Sequence, residues 1–235
     1  MSLPTAVIVF AKPPLAWQAK TRLIPALGAY AAAALAARML DHALAQAAAT
    51  QLGPISLYAT ARHATLRDAA GRHGAICKLQ RGRDLGARMV AALARETNTV
   101  QAALLLGSDI PALNAALLLE AADALGKTDC VFVPTIDGGF ALVGCTRGAA
   151  LRMEAVFAGQ IWSTPHVMRE VRVRLSQQGL RWDELTTVSD VDMPADLAHV
   201  PAHWLRDVRR SCTKPTPDSV MCIARARNAE PCGDF

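Results

Sequence analysis

The chain has 235 residues, of which 52% are hydrophobic and 19% are charged, and this composition excludes a globally disordered protein. The net charge of +5 is modest and no basic block occurs, while only four Trp, five Phe and two Tyr could stack on bases, which argues against a nucleic-acid partner. No apolar run reaches the ~20 residues that a membrane span needs, and MSLPTAVIVFAKPP lacks the charged start of a signal peptide, so we expect a soluble, cytoplasmic protein.

Short β-like runs alternate with longer helical segments along the chain. The pattern predicts strands at 6–11, 54–60, 75–79, 103–107, 130–134 and 140–144. It predicts helices at about 29–50, 62–73, 84–96, 112–125, 148–156 and 164–178, with Pro111 in the first turn of the fourth helix. This order favours an α/β fold, with a mostly parallel sheet and helices on both faces. We expect one domain at residues 1–210 and a poorly ordered tail at 211–235.

The cysteines show no close pairing that would indicate a disulfide framework or a standard zinc site. Cys77, Cys130 and Cys145 lie in apolar runs, so we expect reduced and buried thiols there.

Two loops that follow predicted strands carry residues suited to phosphate or nucleotide contact. The first, AKPPLAWQAKTRL, carries Lys12, Lys20 and Arg22, three cations that could grip a di- or triphosphate, although each alone is compatible with a solvated loop. The second, QRGRDLGARM, has Gly82 and Gly86, which allow close backbone approach. Its Asp84 could equally cap the following helix.

Acidic residues stand in two further loops. In LLLGSDIP, Ser108 and Asp109 follow an apolar run, where Asp109 is either a helix cap or a ligand for Mg²⁺ or Mn²⁺. SDVDMPADL offers Asp190 and Asp192 as partner carboxylates before a helix that starts with Pro. The two loops would meet if the last short strand returned to the sheet.

The TIDGGFALVG segment has an Asp-Gly pair between two apolar runs, which is a strong hairpin signal and is explained by a turn alone. Alternatively, Asp137 and the bare backbone of Gly138 and Gly139 could lie against a sugar or base.

Six segments in order resemble those of a bacterial group of nucleotide-diphospho-sugar transferases, which are glycosyltransferases of the A-type fold, some connected by name with arsenosugar biosynthesis. The segments are FAKPPLAWQAKTRLIPALG, DLGARM, LLLGSDIP, DGGFALVG, VFAGQIWSTPHV and SDVDMPADL, and the resemblance runs from about residue 5 to residue 200. It implies a single Rossmann-like domain of that fold. In related enzymes an Asp after the central strand and an Asp of a DVD-like motif share a divalent metal, and by resemblance these roles fall to Asp109 and Asp192.

The first loop departs from that group, which usually has a Pro-Gly pair where this chain has Ala16-Trp17. It resembles instead the first loop of the 2-phospho-lactate guanylyltransferases, which share the fold and have a Pro-Leu…Ala-Lys-Ser/Thr-Arg-Leu pattern. Those enzymes lack the DGG hairpin.

These features predict a metal-dependent transferase that takes a nucleotide sugar or an NTP as donor and a small molecule as acceptor. The predicted catalytic residues are Asp109, Asp192 and Lys20, and Asp109 and Asp192 are also the predicted ligands of Mg²⁺ or Mn²⁺. The predicted donor site consists of Lys12, Lys20, Arg22, Gly82, Asp84, Gly86, Ser108, Asp137, Gly138 and Gly139. Glycosyl transfer is the first hypothesis and nucleotidyl transfer the second. A nucleotide-binding protein without catalysis is the rival from another class, and the sequence leaves a homodimer open.

Overall fold

Seven strands form one mixed sheet in the structure, a computed structural model that describes residues 3–213 and, for side chains, residues 3–210. The strands are β1 (Thr5–Ala11), β2 (Ile55–Ala59), β3 (Ile76–Leu79), β4 (Ala102–Gly107), β5 (Cys130–Pro134), β6 (Phe140–Thr146) and β7 (Trp182–Glu184). The helices are α1 (Ile24–Leu27), α2 (Ala29–Thr50), α3 (Ala64–Arg72), α4 (Leu85–Thr97), α5 (Ala115–Ala124), α6 (Arg147–Ala150), α7 (Met153–Phe157), α8 (Val167–Gln177) and α9 (Ala202–Thr213). Two short 3-10 helices lie at Thr21–Leu23 and Pro194–His199.

The strand order is β3-β2-β1-β4-β6-β5-β7, and β6 is antiparallel to both of its neighbours. The other pairs are parallel, with β1 between β2 and β4. The carboxyl ends of the parallel strands therefore share one edge of the sheet. The turn from β5 into β6 lies at that edge as well, because β6 runs back from it.

The sheet is covered on both faces, as the alternating side chains of β1 illustrate. Val7 and Val9 pack into one core with α2, α3 and α5. Ala6 and Ile8 pack into a second core with α4, α6, α7 and α8. This arrangement confirms the predicted α/β fold with a mostly parallel sheet and helices on both faces.

Helix α2 also carries a third cluster, in which Leu35 and Met39 pack against Trp204 and Val208 of α9. Within residues 3–213, no single helix combines the length and apolarity needed to cross a membrane; the segments 21–27 and 29–50 pass that test only together, and they are bent by 119°.

Two local expectations are wrong. Pro111 is not in the first turn of α5, because the helix begins at Ala115 and the Asn114 side chain caps it by accepting from the Leu117 N–H at 3.0 Å. Cys77 is exposed on the edge strand β3, whereas Cys130 and Cys145 are buried as expected.

The end of the described chain holds a helix that the sequence pattern did not predict. Helix α9 runs to Thr213 and so crosses the boundary predicted after residue 210. Most of the predicted tail, residues 214–235, lies outside the residues that the structure describes.

Candidate active site

The chemically unusual loops meet at the carboxyl edge of the sheet, which is where ligands bind in open α/β folds. The first loop follows β1, Ser108 and Asp109 follow β4, the DGG turn follows β5, and the segment with Asp190 and Asp192 follows β7. Val188 in that last segment forms a parallel bridge with Thr135. This bridge extends the pairing of β5 with β7 to the carboxyl edge, and three residues later the chain reaches the loop after β4, where the Val191 N–H bonds to the Asp109 carbonyl.

Asp109 faces a lysine and not the amides of a helix N-terminus. Its Oδ2 accepts from Lys20 Nζ at 2.8 Å, and the following helix has Asn114 as its cap. The same ammonium lies 3.6 Å from Asp192 Oδ1. The two carboxylate oxygens are therefore no farther apart than the sum of these distances, about 6.4 Å, and converge on one cationic point.

Main-chain bonds hold the two acidic loops together independently of Lys20. The Val191 N–H donates to the Asp109 carbonyl oxygen at 3.1 Å. The Asp196 carboxylate accepts from the N–H groups of Asp192 and Met193 at 3.0 and 2.6 Å, which fixes the turn that presents Asp192. Asp196 was not among the predicted site residues, although the spacing of acids in DMPAD resembles a capping box and indicates such a contact.

Further charged groups face the same point. Arg22 Nη1 donates to the second oxygen of Asp192, Oδ2. Burial raises the pKa of Asp190 above its ordinary value, and the negative charges of Asp137 and Asp109 raise it further. The site is therefore a cluster of acidic side chains whose negative charge, among residues 3–210, is offset by the ion pairs with Lys20 and Arg22.

The first loop holds two side chains in left-handed backbone conformations, which residues with a Cβ rarely adopt. Lys20 has φ +48° and only 11% of its side chain exposed, whereas Trp17 has φ +67° and is 68% exposed. Glycine adopts such a conformation without the steric cost that a Cβ brings, so the Trp17 backbone is one that would suit the Pro-Gly pair expected from the resemblance. Lys12 is exposed and forms no hydrogen bond or ion pair with any residue from 3 to 210.

The structure gives the predicted residues of the 80–89 loop roles in local structure. Asp84 caps α4 by accepting from the Ala87 N–H at 2.9 Å. Gly86 packs under Trp162, since an added Cβ would lie 2.8 Å from that ring. Gly82 has φ +143° and lies against the backbone of α4. Among the described residues, none of these three shares a hydrogen bond or ion pair with the acidic cluster.

The DGG segment is the predicted hairpin turn, and its backbone is packed on the protein. The Asp137 carboxylate accepts from the Gly139 N–H at 3.1 Å and from the Thr135 hydroxyl. Gly138 has φ +90°, and a Cβ added there would lie 2.2 Å from the Pro165 carbonyl oxygen. Its own carbonyl accepts from the Met168 N–H at 2.9 Å, at the start of α8. The space that a side chain at position 138 would take is therefore filled by the backbone of Pro165.

The two acids that meet at Lys20 fit a divalent ion of the kind that binds together with a phosphate. Mg²⁺ usually takes one or two protein carboxylates and completes its octahedron with water and phosphate oxygens. Within residues 3–210, no group of three or more His, Cys, Asp or Glu side chains could hold a metal by itself. The donor set of Asp109 and Asp192 is thus suited to Mg²⁺ or Mn²⁺ whose remaining ligands come from a substrate.

Comparison with known proteins shows which family and which solved structures the chain resembles. The profile of a protein family described as "Uncharacterized protein conserved in bacteria (DUF2064)" matches residues 34–164. No curated protein matches the chain in sequence. A crystal structure from Desulfovibrio desulfuricans G20, provisionally identified as a nucleotide-diphospho-sugar transferase, has a TM-score of 0.75 at 23% identity and covers 97% of this chain and 96% of that one.

Two more distant structures share the fold. A nucleotidyl transferase from Methanothermobacter thermautotrophicus has a TM-score of 0.57 at 12% identity, over 86% of this chain and 98% of that one. A 4-diphosphocytidyl-2C-methyl-D-erythritol synthase from Anaerococcus prevotii DSM 20548 has a TM-score of 0.53 at 10% identity, over 89% and 98%. The resemblance expected from the six sequence segments is confirmed at the level of the fold.

Proposed function

The chain belongs to the bacterial family DUF2064 and has the fold of nucleotide-diphospho-sugar transferases and nucleotidyltransferases, and on these premises we propose that it is a metal-dependent transferase with a nucleotide-activated donor. The observation that carries the proposal is the convergence of Asp109 and Asp192 on one cationic point at the carboxyl edge of the sheet. Two carboxylates that meet at one point are the protein ligands that Mg²⁺ takes when the phosphate oxygens of a substrate complete its coordination.

In this proposal Asp109 and Asp192 hold Mg²⁺ or Mn²⁺, which supplies positive charge opposite the leaving phosphate. Lys20 and Arg22 donate charge-assisted hydrogen bonds to the phosphate oxygens. Lys12, exposed in the first loop, adds charge at the entrance. Asp137, fixed by the DGG turn, lies on the sugar or acceptor side.

Glycosyl transfer from a nucleoside-diphosphate sugar is the first form of the proposal, supported by the likeness to the Desulfovibrio structure along nearly the whole chain. Nucleotidyl transfer from an NTP to a small phosphorylated acceptor is the second form. It is favoured by the Pro-Leu…Ala-Lys-Thr-Arg-Leu first loop and by the fold of the Methanothermobacter nucleotidyl transferase. The products separate the two forms, because glycosyl transfer releases a nucleoside diphosphate and nucleotidyl transfer releases pyrophosphate.

The experiment is a thermal-shift screen of nucleotides and sugar nucleotides with and without Mn²⁺, followed by product analysis for each ligand that binds. A ligand at 100 times its Kd stabilises the folded protein by about 2.7 kcal/mol. We expect a shift that depends on Mn²⁺ in the wild type and disappears in Asp109→Asn. The matched control is Asp68→Asn, which removes a carboxylate from the exposed side of α3 and should leave the shift unchanged.

Two results would change the proposal. A metal-dependent shift that survives in Asp109→Asn would refute the assignment of the site. Metal-assisted binding without release of either product from any donor would identify a nucleotide-binding protein that lacks catalysis.

A further inference from the structure

Lys20 lies where a cation shared by Asp109 and Asp192 would lie. Its Nζ is 2.8 Å from Asp109 Oδ2 and 3.6 Å from Asp192 Oδ1, and its side chain is 11% exposed. On the premise of the proposed function, we infer that Lys20 and the divalent ion are alternative occupants of this position. The ion then binds strongly only when the phosphates of a donor draw Lys20 away.

The two cations exclude each other because they need the same oxygen. A metal at the ~2.1 Å that Mg²⁺ requires from Asp109 Oδ2 would lie within about 5 Å of an ammonium placed 2.8 Å from that atom. Like charges at this distance repel, and a partly buried site screens the repulsion less than bulk water does. Metal entry therefore requires the ammonium to leave.

The second acid is arranged to remain in place when Lys20 leaves. Asp192 presents Oδ1 to Lys20 and Oδ2 to Arg22, so each oxygen has its own cation. The Asp196 carboxylate accepts a hydrogen bond from the Asp192 N–H and so fixes the backbone of the turn. Departure of Lys20 thus frees one oxygen on each acid without releasing the Asp192 side chain.

The first loop has a physical reason to change when a donor arrives. The backbone of Lys20 is left-handed, a conformation that costs a non-glycine residue free energy and persists only while its contacts support it. Donor phosphates offer the ammonium an equivalent anionic partner outside the acid pair. Transfer of Lys20 from carboxylate to phosphate would therefore open the metal position and secure the donor in one event.

Coupling of this kind is reciprocal, so the metal must strengthen donor binding by the factor by which the donor strengthens metal binding. The test measures binding of Mn²⁺ alone, by electron paramagnetic resonance of the free ion, to the wild type, Lys20→Met and Lys12→Met. We expect Lys20→Met to bind Mn²⁺ at least tenfold more tightly than the wild type. Lys12→Met removes the same charge from the same loop but leaves the acid pair untouched, and should change the affinity less than twofold.

A second measurement separates this role from a structural one. Without metal, inorganic pyrophosphate should bind Lys20→Met about tenfold more weakly, since a charge-assisted hydrogen bond is lost. If Lys20 only held the loops in place, its removal would weaken both ligands. Should the variant be unstable, Mn²⁺ must raise its melting temperature more than it raises that of the wild type.

Failure of the inference about Lys20 and failure of the proposed function give different results. Equal or weaker Mn²⁺ binding by Lys20→Met overturns the inference about Lys20 while the wild type still binds Mn²⁺ with a nucleotide. Absence of Mn²⁺ binding by the wild type with every nucleotide overturns the proposed function and this inference with it.

Discussion

Replacement of Gly138 by alanine places a methyl group where the backbone of Pro165 already lies. The added Cβ would be 2.2 Å from the Pro165 carbonyl oxygen and 2.6 Å from its carbonyl carbon, closer than real Cβ atoms come to any atom. The obstacle is the main chain of Pro165, two residues before α8, which cannot rotate away as a side chain can. The DGG turn or the helix start must therefore shift.

Two effects lower the stability of Gly138→Ala, the positive φ and the clash with Pro165, and one smaller effect on the unfolded chain raises it. Alanine at φ +90° costs about 1–2 kcal/mol, and the forced displacement costs about 1–3 kcal/mol more. Alanine returns about 0.4–1 kcal/mol by restricting the unfolded chain. The free energy of unfolding should thus fall by about 3 kcal/mol, which for a domain of this size lowers the melting temperature by roughly 6–12 °C.

The assay is urea denaturation of Gly138→Ala beside Gly139→Ala. At Gly139 the added Cβ meets only the Thr135 hydroxyl at 3.1 Å and the Asp137 carboxylate at 3.4 Å, so the loss should stay below about 1 kcal/mol. Equal losses in the two variants would refute the argument that Gly138 is required for packing against Pro165.

Three further predictions concern stability. Trp17→Gly should raise the free energy of unfolding by up to about 1 kcal/mol, because glycine removes the cost of φ +67° while little packing is lost, and Trp17→Ala should bring no such gain in the same urea titration. Glu184→Gln breaks the bidentate pair with Arg172, which holds the pKa of Glu184 below its ordinary value. The free energy of unfolding should fall by about 1 kcal/mol at pH 7, and the variant should equal the wild type once the pH is below the folded-state pKa of Glu184. A loss of stability that does not depend on pH would contradict this cause. Lys78→Met removes the cation paired with the buried Glu96 carboxylate, which keeps its hydrogen bond from the Tyr58 hydroxyl, and should cost about 3 kcal/mol in denaturation. Most of this loss should be recovered in the double variant that adds Glu96→Gln, and a single variant within about 1 kcal/mol of wild type would refute a stabilising role for the Lys78–Glu96 pair.

The spacing of hydrophobic residues predicted most of the helices and strands, because most of them bury one face against the rest of the protein. Helix α2 and strand β5 have the predicted bounds, 29–50 and 130–134. Strand β7 was not predicted, since its three residues, Trp-Asp-Glu, carry two acids and pair along one edge only. Helix α9 was missed because its apolar contacts with α2 rest on few residues, chiefly Trp204 and Val208.

Side-chain capping and strand position explain the two wrong expectations, for Pro111 and for Cys77. Asn114 caps α5 with a side-chain oxygen, which Pro111 cannot supply, so the helix starts later than the proline indicates. Cys77 has an apolar neighbourhood in sequence but lies on an edge strand, where one side has no neighbouring strand to cover it.

The candidate site could be predicted in composition but not in geometry. Asp109 and Asp192 lie 83 positions apart in the sequence, and their approach depends on the return of the chain after β7 past Thr135. That return is a long-range pairing with no local signal. The position of Lys20 between the acids has the same origin, since nothing in the first loop indicates which carboxylates it will face.

The bond from the Val191 amide to the Asp109 carbonyl joins the two acidic loops through peptide groups that do not depend on the side chains of the site. Exchange of the side chains at positions 20, 109 or 192 can therefore alter which charge the site accepts while leaving this junction in place. Such a junction allows the ion preference to change by substitution while the backbone frame stays the same. A loss-of-charge variant at any of these positions therefore keeps at least this link between the two loops.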